Sequence, residues 1–207
     1  MLVVCPVLRT GAVRDSAYPG GMDIDWNQQL LDQLDWHWRR QLRPRLEGLS
    51  DDEYFWEPGP GCWNVRRRGE STAPIAAGAG EFTIDFAMPG PQPPPLTTIA
   101  WRLGHIIVGV LGARLANHFN GPAVDYQSFA YAGTAANALR QLDQAYAAWT
   151  DGVRGLGAAG LGRACGPTEG PFAAYPMAVL VLHINREVLH HGAEIALLRD
   201  LYLRRQS

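Results

Sequence analysis

Acidic and imidazole side chains recur at helical spacing near the end of the sequence, at His183, Glu187, His190, His191 and Glu194. On an α-helix these five residues share one arc of about 100°. Within that arc Glu187 and His191 are four positions apart, so their side chains meet across one helical turn. This is the spacing at which one helix supplies two ligands to a metal ion. Taken alone, it leaves two interpretations open, a pair of metal ligands or an ordinary ion pair on a helix.

The residues before and after this arc indicate that it faces the protein core. Leu180 and Leu198 fall on the same side of the helix as Glu187 and His191. A face exposed to solvent would stay polar along its length. Buried carboxylates and imidazoles are costly unless they are paired or bind a metal. The pattern therefore predicts a polar site, suited to a metal ion, inside a helical core.

His105 is the candidate for a third ligand from another helix. It lies in the apolar stretch at residues 99–110, where a histidine is also found as a satisfied core residue. Gly109 and Gly112 share its face and would leave room for a neighbouring helix or a ligand. Two imidazoles and one carboxylate leave a coordination position open on zinc, which is typical of catalytic sites. A pocket open to solvent at this point would favour an enzyme, and a sealed one a structural role.

Trp101 and Arg102 flank the face that carries His105, and we take them as candidate catalytic residues. Arg102 would orient a substrate carboxylate and Trp101 would line the pocket, although a surface arginine is an equally simple interpretation of Arg102. His37 is either a fourth polar group of the site or part of an amphipathic surface. His118 lies at a helix end, where a cation is favoured by the helix dipole.

The elements that must position these residues are mainly helices. Apolar periodicity and stop signals predict four long helices, at residues 25–49, 96–119, 135–156 and 171–205. Residues 63–66 and 82–86 have the composition of short strands. The predicted fold class is therefore all-α, a four-helix bundle with long crossover connections and a small β-hairpin inserted between the first and second helices.

Local signals refine these boundaries. Pro44 should kink or end the first helix. Ser50 is the expected cap of a short helix that follows, and Thr97 or Thr98 caps the second long helix. The Ala/Gly stretch at residues 76–80 is expected to form the tip of the hairpin.

Composition excludes several kinds of function. The net charge of −2 argues against nucleic acid or an anionic membrane as a partner. All 18 basic residues are arginine, which rules out lysine Schiff bases, lysine general bases and a Walker phosphate loop. With 207 residues and 47% hydrophobic residues, the chain can bury a core without disulfides or a structural metal. A metal ion would therefore be present for chemistry.

The expected location is the cytoplasm. Cys5, Cys62 and Cys165 are widely spaced, which indicates a reducing compartment, and we assign none of them a role. No apolar run approaches the ~20 residues of a membrane span. Residues 1–21 are rich in Gly, Pro and Arg and have neither periodicity nor the pattern of a signal peptide. We expect them to form a disordered tail ahead of a single domain at residues 22–207.

Two motifs resemble a known family across about residues 25–205. They are Gly104-His105 and the run Glu187-Val-Leu-His190-His191-Gly-Ala-Glu194-Ile. Both are similar to the DinB/YfiT-like metalloprotein superfamily. Many members have three histidines, two of them as HxxxH on the last helix, and this chain departs from that pattern by having Glu187 in the first of those places. In its His, Glu, His arrangement it resembles the mycothiol-dependent maleylpyruvate isomerases.

The resemblance implies a four-helix bundle that holds a divalent ion, most simply Zn²⁺ with Ni²⁺ or Fe²⁺ as alternatives, at His105, Glu187 and His191. It also implies activation of a low-molecular-weight thiol such as mycothiol, which attacks a small electrophile. The expected partner is this small-molecule substrate, and the chain is a candidate homodimer.

Four other interpretations stay open. The first is hydrolysis by a metal-activated hydroxide. The second is Fe(II) oxygenase chemistry, because two histidines and one carboxylate also form the facial triad. The third is a non-catalytic metal-binding stress or interaction module. The last is a metal-free bundle in which Glu187 and His191 form an ion pair.

Overall fold

The structure is a computed structural model that describes residues 24–205. The predicted tail at residues 1–21 lies outside this range. Numbered in chain order, the helices are α1 (Trp26–His37, continued by Trp38–Leu42 and Arg43–Arg45), α2 (Asp51–Tyr54), α3 (Ile99–His118), α4 (Ala135–Arg154), α5 (Gly157–Gly162) and α6 (Met177–Arg204). The strands are β1 (Val65–Arg67), β2 (Ile75–Ala77) and β3 (Phe82–Phe86). The chain is thus mostly helical with a small sheet, and the four predicted long helices correspond to α1, α3, α4 and α6.

Two of the long helices contain a π-helical segment. In α1 it is Trp38–Leu42, which ends two positions before Pro44. Proline lacks an amide hydrogen and its ring clashes with the carbonyl one turn earlier, so the regular ladder of helical hydrogen bonds cannot continue. Helix α1 ends at Arg45, in agreement with the prediction from Pro44. In α3 the π-helical segment is Ile106–Gly112, directly after His105. Such segments often occur at functional sites.

The start of the last helix was predicted too early. It begins at Met177 instead of near residue 171, and Pro167–Phe172 forms a separate 3₁₀ turn. Gly170 has a φ of +53°, a left-handed conformation that interrupts any helix through this point. The predicted caps are confirmed: Ser50 forms a capping box with Glu53, and Thr98 accepts a hydrogen bond from the amide of Trp101.

The inserted sheet has one strand more than the predicted hairpin. β1 and β2 pair antiparallel with opposite edges of β3, which gives the order β1-β3-β2. Ile75–Ala77 is therefore a strand, and the prediction that residues 76–80 form the hairpin tip was wrong at its first two positions. Strand propensity in alanine is low, but pairing with the free edge of β3 overrides it.

The core lies between the four long helices. Helices α1 and α3 each contact both α4 and α6. The predicted apolar stripe of α4 faces this core, with Leu142, Tyr146 and Trp149 buried and Leu139 partly buried. Tyr146 stacks on Trp38 of α1 with the ring centroids 3.8 Å apart.

Helix α3 is the central element. By length and composition alone it is apolar enough to cross a membrane, but 67% of its apolar window is buried inside the protein. It therefore packs as a core helix. Its first turn is tied to the sheet, because Thr98 donates a hydrogen bond of 2.7 Å from Oγ1 to Oδ1 of Asn64, and both residues are buried.

Candidate metal centre

Helices α3 and α6 bring the three predicted ligands together. One ligand atom each from His105, Glu187 and His191 lie within 4.8 Å of one another. The two imidazole rings are nearly perpendicular, at 86°, with centroids 4.7 Å apart. Nε2 of His191 is 3.5 Å from Oε2 of Glu187. These three residues, called the metal trio below, have the spacing and donor types of a divalent metal site.

Glu194 fixes the orientation of His191. Its Oε2 lies 2.7 Å from Nδ1 of His191. An ionised carboxylate only accepts hydrogen bonds, so Nδ1 of His191 carries the hydrogen and Nε2 presents its lone pair toward Glu187. Metal-binding histidines are usually held in this way by a carboxylate on the second ring nitrogen. Glu194 also forms a second metal-compatible group with His190 and His191, in which His190 is exposed.

Arg102 pairs with the same carboxylate. Its Nη1 is 3.1 Å from Oε2 of Glu194 and 3.3 Å from Nδ1 of His191. Because Nδ1 of His191 is itself a donor, Arg102 donates to Glu194. Only 21% of the Arg102 side chain is exposed. Its Nε is buried and has no hydrogen-bond partner among residues 24–205. Arg102 is therefore not a surface residue, and it keeps one donor unused beside the metal trio.

Tyr126 fixes the orientation of His105. The tyrosine hydroxyl lies 2.7 Å from Nδ1 of His105, which leaves Nε2 as the nitrogen for a metal. Gly109 makes this contact sterically feasible, since a Cβ there would lie 2.1 Å from the Tyr126 oxygen. A Cβ at Gly112 would lie 2.9 Å from Val124. The space at both glycines is therefore filled by the loop after α3, and the prediction that it admits another helix or a ligand was wrong.

Trp101 supports the opposite side of His105. The two rings stack with centroids 5.5 Å apart and an interplanar angle of 17°. Trp101 is buried, and its Nε1 donates a hydrogen bond of 2.8 Å to the backbone oxygen of Asp85 in β3. The sheet thus holds the indole in place, and the indole holds the imidazole.

The electrostatic environment keeps His105 able to bind a metal. Burial, followed by the nearby His191 and Arg102, lowers the pKa of His105 to about 4. Its imidazole is therefore neutral at neutral pH, which is the form that binds metals. A partly buried neutral imidazole and a buried arginine nitrogen without a partner among residues 24–205 are both consistent with a ligand at this point.

The metal trio is reachable from solvent on the side of Glu187. That side chain keeps 25% of its surface exposed. Nδ1 of His183 and Nε of Arg186 lie 3.5 Å and 3.6 Å from its Oε1. His183 therefore lies beside Glu187 at the surface and does not face a neighbouring helix. An accessible trio of this kind differs from a sealed structural site.

The remaining histidines lie outside the metal trio. His37 is not a fourth member, since its Nε2 is buried near Gly192 and has no hydrogen-bond partner in the described part of the chain. His118 does more than complement the helix dipole, because its Nε2 lies 2.9 Å from the buried carboxylate of Glu169. Sequence reasoning gave no role to Tyr126, which lies in a loop without periodicity.

Comparison with known proteins gives one match. No curated protein and no solved structure matches the chain. The family model of the DinB superfamily matches residues 33–195, a range that includes all three members of the metal trio. The chain belongs to the DinB superfamily.

Proposed function

We propose that this protein is a divalent-metal-dependent enzyme that binds its ion at His105, Glu187 and His191. The observation that carries the proposal is the convergence of these three ligand atoms within 4.8 Å, with each imidazole backed by a polar partner. Zn²⁺ suits two imidazoles and one carboxylate, and Ni²⁺ and Fe²⁺ also accept these ligands. Membership of a superfamily whose members often bind metals supports the same interpretation.

We further propose that the enzyme activates a low-molecular-weight thiol, such as mycothiol, for transfer to or isomerisation of a small electrophile. A divalent ion bound at the metal trio would lower the pKa of a thiol that reaches it, and so supply a thiolate near neutral pH. Arg102 would orient a carboxylate of the substrate, because its guanidinium lies beside the metal trio and 21% of its side chain is exposed. Trp101 would keep His105 in place and line the pocket.

The proposed architecture is a four-helix bundle with long crossover connections. Its support is that α1 and α3 each contact α4 and α6, and that the sheet and two long loops connect the helices. In such bundles, metal ligands project into the core from facing helices. His105 on α3 and the Glu187–His191 pair on α6 follow this arrangement.

The first test is the metal content of untagged protein, measured by inductively coupled plasma mass spectrometry. We expect about one zinc ion per chain. His105→Ala and Glu187→Gln should each lose the ion while circular dichroism shows an intact helical fold. Glu47→Gln, a change at an exposed glutamate, is the matched control and should keep it. If the native protein takes up neither zinc, nickel nor ferrous iron, the proposal is wrong.

The second test separates the reaction classes. Zinc-loaded protein is assayed with maleylpyruvate in the presence and absence of mycothiol, by following the absorbance of the substrate. Thiol-dependent turnover supports the proposal, and turnover that ignores the thiol supports hydrolysis or another chemistry. Oxygen consumption with ferrous iron would instead indicate an oxygenase. If Arg102→Gln leaves turnover unchanged, the role proposed for Arg102 is removed.

The proposed setting is the cytoplasm, with a small molecule as the only obligatory partner and with neither nucleic acid nor membrane. A homodimer also stays a prediction. Leu189, Leu197 and Leu201 are exposed apolar residues along α6, and surfaces of this kind often mark protein contacts. Size-exclusion chromatography with light scattering measures the mass directly, and a monomer at all concentrations would contradict the dimer.

A further inference from the structure

A cavity of about 410 Å³ lies beside the metal trio, between α6, the end of α3 and the segment before α6. Its size is within the range of small-molecule binding sites. The wall is mainly apolar, and it includes Phe172, Tyr175, Val179 and Leu182. All four of these side chains are exposed, although large apolar residues usually avoid solvent when they gather in one place. The cavity therefore presents an apolar surface that no side chain of residues 24–205 covers.

The cavity is connected to the metal trio through two of its lining residues. His183 and Arg186 line it, and both lie within 3.6 Å of Oε1 of Glu187. A third lining residue, Arg114, donates a hydrogen bond of 2.7 Å from Nη1 to the backbone oxygen of Gly109, one turn beyond His105. The cavity thus adjoins both helices that supply the trio.

The charged groups of the lining favour an anion. The lining contains two arginines, Arg114 and Arg186, and one carboxylate, that of Glu169. Glu169 is buried and already paired, with Nε2 of His118 at 2.9 Å and Nη2 of Arg114 at 3.4 Å. Arg186 is 71% exposed at the rim, with its Nε 3.6 Å from Oε1 of Glu187 and its Nη2 2.6 Å from Nδ1 of His183, while its Nη1 makes no hydrogen bond among residues 24–205. An incoming anion would therefore meet the Nη1 group of Arg186 at the rim, on the side of the guanidinium away from its contacts with Glu187 and His183.

We propose that this cavity binds the apolar body of a small organic carboxylate, whose negative group pairs with Arg186 next to the metal trio. The assignment of this molecule as a substrate rests on the proposed function; its binding does not. Phe172, Tyr175 and Leu182 would cover the apolar part and exclude water from it. Arg102 belongs to α3 and contacts His191 and Glu194, whereas Arg186 contacts Glu187, so the two arginines can be tested independently.

The test uses 4-phenylbutyrate as the probe, titrated by isothermal calorimetry into full-length protein with and without zinc. Arg186→Gln and Leu182→Asp should each weaken binding by about fivefold or more, because one removes an ion pair and the other places a charge on the apolar wall. The matched controls lie on the same helix outside the cavity. Arg204→Gln is the control for Arg186→Gln, since the two arginine side chains are 72% and 71% exposed. Leu203→Asp is the control for Leu182→Asp, since the two leucines are 64% and 55% exposed. Neither control should change the affinity.

The neutral amide, 4-phenylbutyramide, should bind more weakly than the acid to native protein and equally to Arg186→Gln. Absence of saturable binding, or equal losses in cavity and control variants, overturns the proposal. Cobalt-loaded protein adds a distance readout, since protons of the bound probe should relax faster in the presence of the paramagnetic ion. If the protein takes up no metal but still binds the probe with this pattern, the cavity assignment stands and the proposed function fails.

Discussion

The hydroxyl of Tyr126 lies 2.7 Å from Nδ1 of His105 and directly over Gly109. The loop after α3 therefore determines which ring nitrogen of His105 faces Glu187 and His191. Partners of this kind, on the far side of a metal-binding imidazole, typically change metal affinity by about 10- to 100-fold when they are removed.

Removal of this hydroxyl is the first prediction. Tyr126→Phe should lower zinc affinity by about 10-fold or more, because His105 loses the partner that holds its ring. Competition with a chromophoric chelator measures the affinity. Tyr202→Phe, near the end of α6, is the control and should leave it unchanged. Equal affinities for Tyr126→Phe and the native protein would mean that the contact does not support the site.

Gly109→Ala is the second prediction. The new Cβ would lie 2.1 Å from the Tyr126 oxygen and 3.3 Å from Nδ1 of His105. The loop must move, so we expect a loss of about 1–3 kcal/mol in the free energy of unfolding, together with weaker zinc binding. Urea denaturation and chelator competition measure the two effects. Gly162→Ala, where a Cβ meets nothing within 4 Å, should be neutral or slightly stabilising.

Glu194→Gln is the third prediction. The amide oxygen of glutamine is uncharged, so it accepts weaker hydrogen bonds from His191 and Arg102 than the carboxylate does, and zinc affinity should fall by about 10-fold or more. Glu47→Gln removes an exposed carboxylate elsewhere and should have no effect. An unchanged affinity in Glu194→Gln would show that His191 is held by other contacts.

The fourth prediction concerns a buried ion pair that ties α6 to α2. Nε of Arg199 lies 2.6 Å from Oε1 of Glu53, and the side chains are 13% and 4% exposed. Arg199→Met leaves a buried carboxylate without its partner, which should cost about 3–5 kcal/mol of unfolding free energy. The exposed Arg204→Met is the control. The double variant Glu53→Leu/Arg199→Met should recover part of the loss in urea denaturation, and no recovery would contradict this explanation.

The fifth prediction is a pH dependence from Glu169. Burial alone would raise the pKa of Glu169, but the hydrogen bond from His118 and the charge of Arg114 outweigh it and hold the pKa below its ordinary value of 4.5. A carboxyl with a lowered pKa stabilises the fold above its unfolded pKa, and the effect is lost as the pH falls through the folded pKa.

The free energy of unfolding at pH 7 should therefore be larger for the native protein than for Glu169→Gln. This difference in free energy should shrink as the pH falls below about 4.5. Urea denaturation from pH 7 to pH 3 measures this difference. A gap between the two proteins that is constant over the whole range would contradict the lowered pKa.

The features that sequence predicted correctly are those set by local spacing. Glu187 and His191 meet because they are four residues apart on one helix, and this holds whatever packs around them. The caps at Ser50 and Thr98 also depend on residues within one turn. The prediction of His105 required one further step. It is a polar residue in an apolar helix, and a polar residue that is buried there needs a partner.

The features that sequence missed depend on contacts between distant segments. Tyr126 reaches His105 across 21 positions, from a loop that has no periodicity. Strand β2 forms because its backbone pairs with the second edge of β3. The composition of residues 75–77 does not reveal that this edge is available. The cavity forms between α6 and the segment before it, which contains the interruption at Gly170 and folds back toward that helix.

The π-helical segment Ile106–Gly112 has a consequence for how this site can change. A π-helical turn accommodates one more residue than an α-helical turn. Deletion of a single residue there would restore α-helical geometry and rotate everything downstream relative to His105. Arg114 and the cavity wall would then turn with respect to Glu187 and His191, although no residue of the metal trio had been substituted. Because Tyr126 also lies downstream of this segment, chain length at this one point couples the shape of the cavity to the support of His105.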